Sequence, residues 1–170
     1  MKVKAFEPPK FDGNLRCYPN FKDDFTKLVK ASYGEDPYAL RMCLEGEALQ
    51  TVRGAEGDFH EIFMKLDEKY GNPRKIVDLV TSDLRSLKRI AEGDTKGFIN
   101  MVNKVEQCWF DLKRVNLSTE LSTANVVSHI EKILPTLQKR EWVLKAENIS
   151  DSKDLFPELL EFLLREKKES

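Results

Sequence analysis

The sequence predicts an all-α protein of two small helical lobes, about eight helices in all, with an extended arm in front. Three observations carry that reading. Apolar residues recur at spacings of three and four through most of the 170 residues. Asp, Ser, Thr or Pro, the residues that cap or open helices, stand just ahead of these runs. Beyond residues 3–15, which alternate weakly, no segment shows the period-two pattern of a strand.

Pro8 and Pro9 forbid a helix at the start, so this stretch reads as an extended arm ending in a turn at Asp12-Gly13-Asn14. Pro19 opens the first helix, where Phe21, Phe25, Leu28 and Val29 share one face; Gly34 breaks it. Asp36 and Pro37 start a second helix, in which Leu40, Leu44, Ala48 and Val52 recur every four residues. Gly46 lies inside that pattern at a cost of about 1 kcal/mol relative to alanine, which points to a close contact or a break. Asp58 caps a third helix with Phe59, Ile62, Phe63, Leu66 and Tyr70 in a stripe. Gly71-Asn72-Pro73 then stops the chain, giving lobes at residues 1–71 and 72–170.

In the second lobe Ile76, Val77, Val80, Leu84 and Leu87 mark the fourth helix. Asp94 or Thr95 caps a long fifth one, with Phe98, Val102, Val105, Trp109 and Leu112 on one side, ending at Asn116. Ser118 or Thr119 caps a sixth helix that runs to Leu134. Pro135 stops it and starts a short seventh with Leu137 and Trp142. Asp154 caps the eighth, whose core face is Leu159, Leu160, Leu163 and Leu164.

Charge excludes some functions. Lys plus Arg number 28 and Asp plus Glu 29, so the formal net charge is −1, and neither half is a polycation. Sequence-independent binding to nucleic acid needs clustered cations that displace counterions, and none occurs beyond a short stretch at Arg165–Lys168. The residues MKVKAFEPPKF lack the apolar core of a signal peptide, and no apolar run reaches the ~18 residues of a membrane span. A cytoplasmic protein without membrane contact is expected. Cys17, Cys43 and Cys108 are odd in number and far apart, as suits reduced thiols rather than a disulfide framework. His60 and His129 each lack a second His or Cys three or four residues away. Gly93-Asp94-Thr95-Lys96-Gly97 lacks the lysine placement of a phosphate loop, and no nucleophile elbow is present. The expectation is therefore a protein with no catalytic residues, no metal and no cofactor.

The order of motifs resembles one family. Pro9-Lys10-Phe11-Asp12-Gly13 is followed by Phe21…Phe25…Leu28-Val29, then by Tyr38-Ala39-Leu40…Leu44-Glu45-Gly46-Glu47-Ala48. Ile62…Leu66…Tyr70-Gly71-Asn72-Pro73, Ile133-Leu134-Pro135 and Leu159-Leu160-Glu161-Phe162-Leu163 complete it. Together these are similar to the Gag region of BEL/Pao-type LTR retrotransposons, over nearly the whole chain. The resemblance implies a two-lobed, retroviral-capsid-like protein that forms hexamers and pentamers in virus-like particles around RNA. RNA contact is expected only indirectly or through a segment outside these residues, since zinc knuckles are lacking. A domesticated Gag lobe that binds a peptide or protein partner without forming shells is the alternative.

Two candidate contact surfaces follow. In the sixth helix, residues 119–134, Leu121, Ala124, Val127, Ile130 and Leu134 make one stripe; Ser122, Val126, His129 and Ile133 make a second, at spacings of four, three and four. A helix apolar on two sides is either enclosed or faces a partner. The resemblance implies a twofold dimer through this helix of the C-terminal lobe, and cover by the seventh or eighth helix is the competing reading. Trp109 and Trp142 are further candidate anchors. The second surface is the arm, where Phe6, Pro8, Pro9 and Phe11 are expected to lie as an extended strap across a lobe or a neighbouring subunit.

Overall fold

A computed structural model describes residues 7–170, apart from the Ala124 side chain. It is all-α: among the described residues there is no strand, only an isolated parallel bridge between Phe11 and Leu44. The chain divides into two compact units, the second beginning at Arg74. That division falls two residues beyond the expected one, inside the first turn of the helix that Pro73 opens.

In the first unit, the turn Leu15–Cys17 leads into α1, which comprises Tyr18–Asp24, a π-helical stretch Phe25–Lys30 and a closing turn Ala31–Tyr33. The wider i→i+5 turn keeps Phe21, Phe25 and Val29, each four apart, in line on the buried face. It also turns Leu28 outward, where 47% of it is exposed, although ordinary helical spacing predicts it in the core. Helices α2 (Pro37–Met42), α3 (Gly46–Thr51) and α4 (Phe59–Tyr70) follow. Asp36 caps α2 through Tyr38 N–H, and Asp58 caps α4 through His60 and Glu61 N–H.

The single second helix expected from the sequence is thus two helices. Leu40, Leu44, Ala48 and Val52 are all buried, but the backbone leaves the helix at Cys43–Glu45, where the arm docks. The four-residue rhythm survives the break, so periodicity alone could not reveal it. Gly46 restarts the helix at φ +54°, a left-handed conformation that a Cβ would strain.

The second unit starts with α5 (Pro73–Arg85) and the long α6 (Thr95–Arg114). Asp94 caps α6 by accepting from Gly97 N–H, and Asn116 ends it at φ +60°. The turn Ser118–Ser122 precedes α7 (Ala124–Ile133), which is followed by α8 (Thr136–Ala146), the turn Ser152–Asp154 and α9 (Leu155–Glu169). Asp154 stands at the N-cap of α9 as expected, though without a side-chain capping bond, and Asp151 caps the short turn before it through Lys153 N–H. Pro135 is the N-cap of α8 rather than its first residue. Phe98, Val102, Val105 and Leu112 of α6 and Leu160 of α9 are buried as expected.

Candidate functional site

Where the arm meets α2 and α3, three backbone hydrogen bonds hold it. Phe11 N–H donates to the Cys43 carbonyl at 2.9 Å, Glu45 N–H donates to the Phe11 carbonyl at 2.9 Å, and Ala48 N–H donates to the Asp12 carbonyl at 3.3 Å. Lys10 Nζ donates to the Met42 carbonyl at 2.6 Å. The carbonyls and amides freed by the break in the helix are the ones the arm uses, which satisfies groups that burial would otherwise penalise. The Phe11 side chain is 1% exposed, with its ring 4.9 Å from that of Tyr70, 5.2 Å from Tyr18 and 5.3 Å from Phe21. Gly13, at φ +108°, turns the chain away; a Cβ there would come within 3.1 Å of the Tyr70 hydroxyl. Of the expected strap, Phe11 is therefore a core residue of its own unit, Pro9 is half-buried and Pro8 is exposed. Phe6 lies outside the described residues.

A polar clamp backs this aromatic cluster. Tyr18 donates its hydroxyl proton to Asp67, which also accepts from Lys22 Nζ at 2.9 Å. Burial, and then the Asp67 carboxylate, push the Tyr18 hydroxyl above its ordinary range, so it stays a donor. Lys69 bonds Glu47 at 2.7 Å and holds that carboxyl below its usual value.

Beside the arm runs an apolar groove of about 260 Å³, lined by Pro8, Val29, Tyr33, Tyr38 and Met42 among others. Across α2, Tyr38 and Met42 also border a more polar hollow with Arg41, Leu49 and Arg53. Tyr33, Tyr38, Met42 and Leu49 are 67%, 61%, 54% and 41% exposed, although all are large apolar side chains. Sequence reading missed this surface. Its signal was present in the apolar residues off the main stripes, at Tyr38, Met42 and Leu49, which the four-residue pattern left unused.

The second stripe of the sixth expected helix is not a surface. Val126 is 1% and Ile133 4% exposed inside the second unit, and Ser122 and His129 are half-buried. Residues just after α5 lie along this side: Ile90 N–H donates to the Ile133 carbonyl at 2.8 Å, and His129 Nε2 donates to the Leu87 carbonyl at 3.0 Å. Ser122 donates to the Lys153 carbonyl at 3.0 Å and accepts from Phe156 N–H at 3.3 Å. The following helices pack on this helix, as the competing reading expected, and the irregular link after α5 adds to the cover; a polar-looking link carries no periodic signal. The tryptophans are also inward. Trp142 is fully buried, with its indole N–H on Glu131 at 3.1 Å; Trp109 is half-buried and stacks on Phe156 at 5.7 Å. As an exposed self-pairing patch, Ser122, Val126, His129, Ile133, Trp109 and Trp142 are corrected to core and half-buried packing positions.

Among the described residues no group of three or more His, Cys, Asp or Glu side chains is placed to hold a metal ion, and no helix is long and apolar enough to cross a membrane. Cys43 and Cys108 are buried and Cys17 is exposed, all as free thiols; burial pushes the Cys43 thiol up, away from reactivity. A family model described as a protein of unknown function (DUF1759) matches residues 11–151. No curated protein and no solved structure matches the chain.

Proposed function

The chain belongs to the DUF1759 family, and on that footing we propose that it is a structural Gag capsid protein of an LTR retrotransposon, similar to the BEL/Pao type, that assembles with its own copies into virus-like particles enclosing RNA in the cytoplasm. What carries the reading is the tandem of two compact helical units, each with its own apolar core. Such a pair offers two separately folded bodies, from which a shell can be built with one kind of subunit. The motifs that carry the resemblance also have structural work to do: Phe11-Asp12-Gly13 completes the first core, and Gly46 permits the break that receives it. Balanced charge argues that the shell holds RNA indirectly or through another segment. Electron microscopy of concentrated protein at high salt tests this. Closed particles are expected; a uniform population of monomers at every concentration would remove the reading.

A second reading rests on the groove of the first unit. Its aromatic and methionine lining suits an extended apolar peptide, as in a domesticated module that binds a partner without forming shells. Absence of particles combined with saturable peptide binding that Tyr38→Asp removes would favour it.

A further inference from the structure

Helix α8 has its apolar side chains on two sides, and only one side is covered. Trp142 anchors the buried side, with its ring 5.8 Å from that of Phe162 on α9. Leu137 and Leu144 are 55% and 60% exposed. They stand seven residues apart, two helical turns, and so lie on one line along the helix. Arg140 and Glu141, both exposed, fall between them on the same face.

That face reads Leu, Arg, Glu, Leu, and the pattern is complementary to itself when reversed. If two copies of α8 lie antiparallel, centred between residues 140 and 141, Leu137 of each meets Leu144 of the other. Arg140 of each then meets Glu141 of the other, and every contact occurs twice, as a twofold axis requires. We propose that α8 is the self-association surface of the second unit, pairing antiparallel with α8 of a second copy through Leu137, Arg140, Glu141 and Leu144. This rests on the self-assembly reading above and names the surface that reading needs.

A neighbouring feature points the same way. Glu166 of α9 hydrogen-bonds the Glu141 carboxyl; burial first, and then the charge of Glu141, raise its pKa. Glu169 adds to that repulsion and Arg165 opposes it, while Arg165 itself bonds Glu161 at 2.9 Å. Two carboxyls side by side, Glu141 exposed and Glu166 half-buried, are relieved when a cation arrives, and Arg140 of the second copy would bring one. The contact is small, below the ~1,000 Å² of a stable interface, so a weak dimer is expected, of the kind that many copies reinforce.

Sedimentation equilibrium of the full chain over a range of concentrations tests the pairing. The wild type should dimerise, and Leu144→Asp should weaken dimerisation by about tenfold or more, with an unchanged melting temperature. Arg140→Glu and Glu141→Arg should each weaken it, because like charges then face one another. The double variant Arg140→Glu/Glu141→Arg should restore it. A wild type that stays monomeric, single reversals without effect, or a double variant as weak as the singles would each overturn the pairing. Particles that form equally well from Leu144→Asp would leave the shell reading standing and remove α8. Dimers without particles would do the reverse.

Discussion

Helices α7 and α8 follow one another in the chain and look alike in sequence, each with apolar residues on more than one side. Their fates differ. α7 is enclosed: Val126, Val127, Ile130 and Ile133 are all within 4% of full burial. α8 keeps Trp142 inside and leaves Leu137 and Leu144 in solvent. The difference is set by what lies beside each helix. The link after α5 reaches α7 and bonds it at Ile133 and His129, whereas at α8 it bonds the first residue, Thr136, through Glu92, and Leu137 and Leu144 stay more than half exposed. Two-sided apolarity therefore marks a helix that needs cover, and only the tertiary structure shows whether the same chain supplies it.

The largest effect should come from charging α7. Val126→Asp with Ile133→Asp buries two unpaired carboxylates, each a severe cost, and should unfold the second unit, with loss of more than about 5 kcal/mol. Circular dichroism would show this; a folded monomer with native helix content would mean that the stripe is exposed after all. Next in size is the anchor of α8. Trp142→Ala removes a fully buried indole and should cost about 3–5 kcal/mol. Thermal unfolding measures it, and a loss below about 1 kcal/mol would mean that α8 is held elsewhere.

The smallest effect concerns Glu166. Its folded pKa is raised, so its contribution to stability is present below the ordinary carboxylate pKa and is lost as pH rises through the raised value. Glu166→Gln should therefore stabilise slightly at neutral pH, by no more than about 0.5 kcal/mol after solvent screening. It should leave acid stability nearly unchanged. Denaturant melts at acidic and neutral pH check the sign, and a variant less stable than wild type at neutral pH would contradict it.

Much of this fold was legible in the residues. Asp36, Asp58 and Asp94 cap where their positions ahead of apolar runs predict, and Phe21, Phe25, Leu66, Val102 and Leu112 reach the cores. Two features escaped for one physical reason each. The break at Cys43–Glu45 is imposed by a segment more than thirty residues away, so local periodicity cannot contain it. The π stretch in α1 alters which residue faces out without altering composition, so Leu28 was assigned to the wrong side. The surfaces were least legible. Burial of the α7 stripe depends partly on an irregular link, and the groove beside the arm depends on side chains that the main stripes leave over.

The docking of Phe11 also fixes an order of events. Its hydrogen-bonding partners stand at Cys43 and Glu45, and its ring partners extend to Tyr70. All of them leave the ribosome later than Phe11 does. Phe11 must therefore wait for its last partner until the end of α4 has emerged. Closing such a long loop is paid for before any contact rewards it. Completion of the first core is thus expected late in synthesis, and a nascent chain halted before Tyr70 should display the very rings that later form its centre.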